Sequence, residues 1–272
     1  MGARYEHVLM TRFNLATPGR ESAIRNRPGW LAERFALFER YCLPSVAGQT
    51  SRRFHWVIYF DAATPPEFRD RIAACQRQFP FVPYFTGLFP ASGWPRSIRE
   101  TFDFAPDYLL TTRLDNDDAL ALDHVERVQA AVEAAGCAPG GYNFTNGFIL
   151  GRGRLYRLAH RSNAFFSYLA PYAAEVVTAP SIQHMELARH GTVRQIGGAG
   201  GWMQIVHGGN VSNKIRGRRI AAREIGGAFP PALVAEVAPV GAPALWADAA
   251  LSGSLRGLRD TALALRHRLR RG

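Results

Sequence analysis

The sequence predicts an α/β fold in which helices flank a mainly parallel sheet, and three observations support this prediction. Short apolar runs of strand length alternate along the chain with segments of helical periodicity. The chain has 272 residues, of which 47% are hydrophobic, so it can bury the core of one large domain. Polar residues follow several apolar runs, which is where ligands bind in open α/β sheets.

Each element follows from a local pattern. Strands are predicted where apolar residues form short runs, over residues 5–15, 54–60, 81–85 and 108–115 and, with an alternating pattern, 142–150. Helices are predicted where apolar residues recur at helical spacing, over residues 31–46, 65–79, 95–104 and 124–135. Pro65 and Pro66 open the second of these helices, because proline is tolerated in a first helical turn.

The C-terminal part of the chain has a different composition. Residues 226–250 are rich in Gly, Ala and Pro and predict an extended connector after a main domain over residues 1–225. Residues 251–272 carry leucines at helical spacing and six arginines against one aspartate, a local charge of +5. This pattern is typical of a basic amphipathic helix. Such a helix can bind an anionic membrane peripherally, pack on the main domain or contribute to a homodimer.

The composition limits the classes of partner. The net charge is +11, although Lys214 is the single lysine, so anionic partners such as nucleotide diphosphates or acidic lipids are favoured. The arginines are dispersed and no nucleic-acid-binding motif is present, so nucleic acid is not a predicted partner. No apolar run reaches the length of a membrane span and the first ten residues lack an apolar leader, which predicts a cytoplasmic protein. The three cysteines fit neither a disulfide framework nor a zinc motif and are expected to be buried thiols.

Three carboxylates are concentrated at Asp115, Asp117 and Asp118, directly after an apolar run. Alternate side chains of an extended chain share a face, so the first two are expected to point together and Asp118 elsewhere. Carboxylates this close repel each other unless a divalent cation or a raised pKa relieves the repulsion. Hard oxygen ligands suit Mg²⁺ or Mn²⁺, which keep positions open for substrate phosphates. The alternative is a polar turn in which Asp118 caps the next helix.

Two common aspartate motifs do not fit this spacing. An EF-hand loop starting at Asp115 would need an oxygen ligand at its fifth position and glycine at its sixth, where Ala119 and Leu120 stand. Phosphatases with an aspartyl nucleophile favour Thr or Val at the position of Ala119. The pattern that remains is the Asp-x-Asp motif of nucleotide-sugar glycosyltransferases with the GT-A fold.

Several separated blocks strengthen that comparison. They are HVLMTRFNL (7–15), RYCLPSVAGQT (40–50), FHWVIYFDAATP (54–65), LLTTRLDNDDAL (109–120) and GWMQIVHGGNVSNKIRG (201–217). In this order they resemble a bacterial family of rhamnosyltransferases. The resemblance implies a GT-A-like, Rossmann-type fold with residues 1–225 as the catalytic domain. It also implies transfer of a sugar, rhamnose by the family label, from a nucleotide donor, and the expected acceptor is a hydroxyl of a glycan or lipid-linked molecule. Inversion is the expectation if a catalytic base is confirmed, and retention is the alternative.

The strand ends supply candidate donor-binding residues, which are Thr11, Arg12, Asn14, Asp61 and Asp115. By resemblance to GT-A enzymes, Asp61 would accept hydrogen bonds from the base or ribose of the donor; otherwise it is a turn residue or a helix cap. Arg113 shares a face with Asp115 and would either reach the diphosphate or form a structural salt bridge.

The segment SIQHMELARHG (181–191) resembles the acceptor-side helix on which inverting GT-A enzymes carry an acidic base. Leu187 and Arg189 keep part of that frame, but His184 stands where the acid would be. A histidine with a pKa near ~6.5 can serve as a base at neutral pH. Glu186 is the alternative base. Two residues this far apart face nearly opposite sides of a helix, so only one of them should face the cleft.

A third constellation is IVHGGNVSNKIRG (205–217), in which a strand ends at His207 before two glycines. By resemblance, His207 is a candidate third metal ligand; the alternative is a hydrogen-bonded core histidine. Candidates for phosphate contact follow it, namely Asn210, Lys214 and Arg216. Two other functions remain open at this point: a nucleotidyltransferase of similar fold, and a non-catalytic sugar- or nucleotide-binding protein.

Overall fold

The computed structural model describes residues 4–16, 24–87, 93–207 and 215–250. Within these ranges the strands are β1 (Tyr5–Arg12), β2 (His55–Asp61), β3 (Val82–Thr86), β4 (Tyr108–Asp115), β5 (Ala119–Leu120), β6 (Gly140–Phe144), β7 (Asn146–Gly151), β8 (Arg154–Ala159), β9 (Ser167–Pro171), β10 (Val193–Ile196), β11 (Trp202–Val206) and β12 (Arg218–Ile220). The α-helices are α1 (Trp30–Leu37), α2 (Leu43–Ala47), α3 (Pro66–Gln78), α4 (Gly93–Thr101), α5 (His124–Ala134) and α6 (Pro231–Val234).

The larger sheet has the strand order β10-β6-β9-β4-β1-β2-β3. Strand β1 pairs in parallel with β2 and β4, β2 with β3, and β6 with β10, whereas β9 is antiparallel to both of its neighbours. Strands β1, β2 and β4 are apolar and almost entirely buried, as expected of parallel strands covered on both faces. The predicted α/β fold with a mainly parallel sheet is therefore confirmed.

Strand order reverses next to β1, because β2 lies on one side of it and β4 on the other. In open α/β sheets a ligand crevice forms outside the carboxyl ends of strands at such a reversal. The pairing register places Arg12, the last residue of β1, beside Asp115, the last residue of β4. The predicted strand ends therefore meet at the edge of the sheet where a crevice is expected.

A second sheet, with the order β12-β8-β7-β11-β5, was not expected from the sequence. The single alternating strand predicted over residues 142–150 is wrong, because the chain leaves β6 at Thr145 and enters β7 in the other sheet. Strand β7 is buried along nearly its whole length and forms a hairpin with β8. The turn uses Arg152 and Gly153 with φ values of 52° and 68°, which is the geometry that a tight hairpin requires.

The extended conformation predicted for residues 226–250 is wrong for residues 231–234 and 242–250, which are helical. Helix α6 begins at Pro231, and Phe229, Leu233 and Val237 are buried in the apolar cluster beneath the smaller sheet. Their spacing of four residues matches a helical turn. The Gly, Ala and Pro content of the segment therefore did not reveal that these three apolar side chains pack on one face. Residues 242–250 are helical and largely exposed. The predicted basic helix over residues 251–272 lies outside the described residues.

Helix α1 approaches the crevice and is held by aromatic packing. Phe35 is 1% exposed and its ring lies 4.5 Å from that of Phe13, which follows β1. A π-helical turn over Phe38–Cys42 follows α1, just before Pro44, whose nitrogen cannot donate the next α-helical hydrogen bond. The three cysteines are buried free thiols, as predicted. Among the described residues, no helix combines the length and apolar character needed to cross a membrane.

Replacing Gly147 by alanine should destabilise the protein by about 1–3 kcal/mol, the usual cost of overpacking a core. A Cβ at this position in β7 would overlap the indole ring of Trp202, which is 2% exposed and stacks on Phe165. Gly197→Ala is the matched control, because a Cβ there meets no atom within 4 Å. The measurement is urea denaturation, and equal midpoints for the two variants would contradict the packing described for Trp202.

Candidate active site

The carboxylate motif forms the turn between the two sheets. Strand β4 ends at Asp115, and the backbone N–H of Asp118 donates to the carbonyl of Asp115 over 3.2 Å. Two residues of β5 follow and pair with β11 of the smaller sheet. Asp117 and Asp118 are only 6% and 3% exposed. The motif is therefore a buried junction at the carboxyl end of β4.

Strand pairing returns His207 to this junction. Strand β11 runs antiparallel to β5, with Met203 beside Ala119. Beyond that pair, the backbone N–H of Ile205 donates to Asp118 Oδ1 over 2.8 Å, and His207 Nε2 donates to Asp117 Oδ2 over 2.9 Å. The structure thus brings His207 into contact with Asp117, one of the two carboxylates that the sequence selected for a metal.

Asp118 binds the backbone of β11 and is not the helix cap considered as the alternative role for it. It does not cap the next helix, because its side chain accepts the Ile205 N–H and the residue before α5 is Asp123. Burial raises the pKa of Asp118 well above its usual range, and the charges of Asp117 and Asp115 raise it further. The raised pKa of Asp118 thus reflects the repulsion that the spacing of the three carboxylates predicts.

Two arginines contact the motif. Arg113 Nη2 lies 3.1 and 3.3 Å from the two carboxylate oxygens of Asp115, so the predicted pairing of these residues is present. Arg34, on α1, places Nη1 2.6 Å from Asp117 Oδ2. Burial raises the pKa of Asp117, but the hydrogen bond from His207 and the charge of Arg34 outweigh burial and hold this pKa below its usual range. Asp117 is therefore an ionised, buried carboxylate.

The donor atoms suit a hard divalent cation. Among the residues that the structure describes, no group of three or more His, Cys, Asp or Glu side chains is arranged to hold a metal ion. Asp117 and His207 nevertheless meet at 2.9 Å, with Asp115 two residues away. Mg²⁺ is typically held by one or two carboxylates and completes its shell with water and substrate phosphates. The chemistry of these side chains therefore fits a metal shared with a phosphate.

Two predicted donor-binding residues serve the framework instead. Thr11 is fully buried, and its hydroxyl accepts the indole N–H of Trp56 over 3.0 Å. Asn14 is 6% exposed; its side chain donates to Thr64 and accepts the backbone N–H of Asp61. Both side chains form hydrogen bonds with neighbouring elements, and their assignment to the donor pocket stays a prediction. Asn14 fixes the turn after β2.

The other donor-side candidates are distributed as follows. Asp61 accepts the N–H of Ala63 within its own turn and forms an ion pair with Arg25, so its turn role is present and its carboxylate is neutralised. Arg12 is partly buried beside Asp115 at the end of β1. Arg216 is exposed. Asn210 and Lys214 lie outside the described residues.

His184 is better placed than Glu186 to face the carboxylates. The segment forms a 3₁₀ helix over His184–His190, anchored by Leu187, which is 1% exposed against β6. Burial lowers the pKa of His184; the charge of Arg113 and the neighbouring His160 lower it further, while Asp115 acts in the opposite direction. Arg113 and Asp115 are therefore among the groups that affect His184, and the His184 ring lies 6.4 Å from that of His160.

Glu186 turns to solvent in the same helix. Its carboxylate lies 2.6 Å from Arg189 Nη1, and the arginine side chain is 78% exposed. A 3₁₀ helix has three residues per turn, so residues two apart still point in different directions. That only one of the two candidates faces the cleft stays a prediction.

Sequence reasoning missed three residues at this site. Arg34 and Arg25 form the ion pairs with Asp117 and Asp61, and the ring of His160 lies 6.4 Å from that of His184. A signal existed for Arg34, which stands one turn after Trp30 in a helix of clear periodicity and has its guanidinium 5.3 Å from the indole centre. No local pattern marks Arg25 or His160, because their partners are distant in sequence.

Three solved structures are similar to part of this chain. TarS 1–349 from S. aureus is 8% identical over 74% of this chain and 60% of its own, with a TM-score of 0.46. The same TarS fragment in complex with UDP is 9% identical over 75% of this chain and 60% of its own, with a TM-score of 0.45. A "putative nucleotide-diphospho-sugar transferase" from Desulfovibrio desulfuricans G20 is 13% identical over 74% and 80% of the two chains, with a TM-score of 0.37.

The chain thus spans 60% of the TarS fragments it resembles. A search of curated proteins found no match. The model of the family described as "Putative rhamnosyl transferase" matches residues 6–219, which is most of the chain. This protein belongs to that rhamnosyl transferase family.

Proposed function

We propose that this protein is a metal-dependent glycosyltransferase that moves a sugar, rhamnose by family membership, from a nucleotide donor to a hydroxyl of a glycan or lipid-linked acceptor. One observation carries the proposal: His207 Nε2 and Asp117 Oδ2 are 2.9 Å apart, although the two residues are 90 positions apart in the sequence. They meet outside the carboxyl ends of β1 and β4, where ligands of such sheets bind.

Asp115, Asp117 and His207 would hold Mg²⁺ or Mn²⁺ in this role. When bound, the cation supplies positive charge next to the departing nucleoside diphosphate. Arg113 and Arg12 lie at the same strand ends and offer guanidinium groups to phosphate oxygens. Asp61 borders the donor side, where the release of its carboxylate from Arg25 would let it accept a hydrogen bond from the base or ribose.

His184 would act as the base that takes the proton from the acceptor hydroxyl. Its lowered pKa keeps the imidazole neutral at physiological pH, which is the form that can accept a proton. A base on the acceptor side is the arrangement expected of direct displacement, so we propose inversion at the transferred carbon. Ser162 donates to the carbonyl of His184 and fixes the start of its helix.

The direct test is calorimetric titration of a nucleoside diphosphate panel with and without Mn²⁺ or Mg²⁺, followed by turnover assays with the matching nucleotide sugars. We expect tight diphosphate binding only with metal, and slow hydrolysis of the sugar donor without an acceptor. Pyrophosphate release from a nucleoside triphosphate and a sugar phosphate would identify a nucleotidyltransferase instead. Binding with no turnover of any donor would identify a non-catalytic binding protein.

Removing residues 251–272 should abolish binding to anionic vesicles and leave transfer to a soluble acceptor intact. The segment carries a local charge of +5, and each basic residue near an anionic bilayer contributes about 1 kcal/mol. Vesicle sedimentation at low and high salt is the measurement, because salt screens this attraction. If truncation instead makes the protein insoluble or alters its oligomeric state, the leucine face is structural.

A further inference from the structure

The ion pair between Arg34 and Asp117 bears directly on metal binding. We propose that the Arg34 guanidinium is an exchangeable counter-ion, which neutralises Asp117 while the metal is absent and turns to the donor diphosphate when the metal takes the carboxylate. This inference rests on the proposed function but adds a residue and an order of events to it. It assigns to α1 a part in donor binding that the sequence motifs do not contain.

The pair is almost enclosed. Arg34 Nη1 lies 2.6 Å from Asp117 Oδ2, and the two side chains are 14% and 9% exposed. A carboxylate buried this deeply is costly without a positive partner. Because the same oxygen also accepts the hydrogen bond from His207, a cation binding there must compete with both groups. Arg34 therefore stands where a metal bound to Asp117 would meet a like charge.

Neighbouring side chains keep the guanidinium near the motif. It lies 5.3 Å from the centre of the Trp30 ring, one helical turn earlier, and 3.4 Å from Asn116 Oδ1. Asn116 in turn donates to the carbonyl of Phe13 over 2.7 Å. These contacts do not depend on Asp117. An arginine displaced from the carboxylate consequently stays at the edge of the crevice.

A displaced guanidinium has a natural new partner. The planar fork of arginine matches phosphate oxygens and forms paired, charge-assisted hydrogen bonds with them. A metal held by Asp117 would be shared with the donor diphosphate, so the phosphates would arrive within a few ångströms of Arg34. The exchange replaces one buried ion pair with two, and leaves no charge unpaired at either stage.

The test measures two affinities that should change in opposite directions. In Arg34→Gln, Mn²⁺ titrated without nucleotide should bind about tenfold or more tightly than in the wild type, because no charged hydrogen bond has to be broken. UDP titrated in saturating Mn²⁺ should bind about tenfold or more weakly, because a phosphate contact is lost. Isothermal calorimetry reports both.

The matched control is Arg71→Gln. Arg71, on α3, forms hydrogen bonds of 2.7 and 2.8 Å with Glu39. Its guanidinium packs over the ring of Phe35, which lies on α1 next to Arg34, but it does not contact the carboxylate motif. Both affinities should stay at wild-type values in this variant. Arg34→Lys keeps the positive charge and shows whether an effect of Arg34→Gln comes from loss of charge or from a folding defect. Its Mn²⁺ affinity should remain close to that of the wild type.

Unchanged or weaker Mn²⁺ binding in Arg34→Gln would overturn the exchange, and so would unchanged UDP binding. The double variant Arg34→Gln, Asp117→Asn should lose the gain in Mn²⁺ affinity; if the gain persists, it does not come from Asp117. Absence of Mn²⁺ binding to the wild type would overturn the exchange too. Failure of the proposed function appears separately, as wild-type protein that turns over no nucleotide sugar.

Discussion

Asp117→Asn should abolish sugar transfer, with turnover falling to the background of the assay. The variant keeps the shape of the side chain but removes the charge that faces Arg34 and His207. A neutral amide cannot hold a divalent cation against water as a carboxylate does. Donor hydrolysis in saturating Mn²⁺ measures the effect. An active Asp117→Asn enzyme, or turnover without metal in the wild type, would contradict the role of this carboxylate.

The same substitution tests the electrostatics of the turn. The pKa of Asp117 lies below its usual range, so the ionised form stabilises the folded state above the unfolded pKa, and this contribution is lost as pH falls through the folded pKa. Removing the charge should therefore cost about 1–3 kcal/mol at neutral pH, the usual value of charged hydrogen bonds. The spacing of the carboxylates alone would predict little loss of stability, because it shows their mutual repulsion but not the ion pair with Arg34. Asp123→Asn is the control, since that side chain is 45% exposed.

His184→Ala should lower kcat by about 10²–10⁴-fold, the usual range for loss of a general base, with donor affinity nearly unchanged. Glu186→Gln should be mild, because Glu186 is held by Arg189 at the surface. His190→Ala is the control in the same helix, as its side chain is exposed. Strong loss in Glu186→Gln with a mild His184→Ala would move the base to Glu186, and two mild variants would remove both assignments.

The pH profile gives a second readout for His184. The pKa of this histidine is lowered from 6.5, chiefly by burial, so the neutral base persists to more acidic pH than for a free histidine. Activity should stay level around neutral pH and fall as pH drops through the lowered pKa. The acidic limb should disappear in His184→Ala. A limb that persists in that variant would belong to another group.

The parallel centre of the larger sheet was predictable because β1, β2 and β4 are short runs whose central residues are apolar and buried. The smaller sheet was not, because β5 and β12 contain only two and three residues and carry no periodic signal. The hairpin of β7 and β8 did have a signal in Gly151, Arg152 and Gly153, which separate two apolar runs. The glycines on both sides of this segment made it resemble a loop instead of a hairpin turn.

The candidate site divides in the same way. Asp115, Asp117 and His207 were selected because each lies at a strand end or follows one, and strand ends are visible as breaks in apolar runs. Arg34 was not selected, because helical spacing shows which side chains share a face but not which distant element that face contacts. Thr11 and Arg12 were both predicted to bind the donor, although successive side chains of a strand point to opposite faces. Thr11 points into the core, where its hydroxyl accepts a hydrogen bond from Trp56.

The junction between the sheets also determines when the site can exist during folding. The bonds from Ile205 to Asp118 and from His207 to Asp117 close loops of 87 and 90 residues. Closing such loops costs chain entropy that local strand and helix contacts do not have to overcome. A chain that has paired β1 only with β2, where Val8 meets His55, still lacks His207 beside Asp117. We therefore expect the proposed metal site to form only when β11 docks against β5.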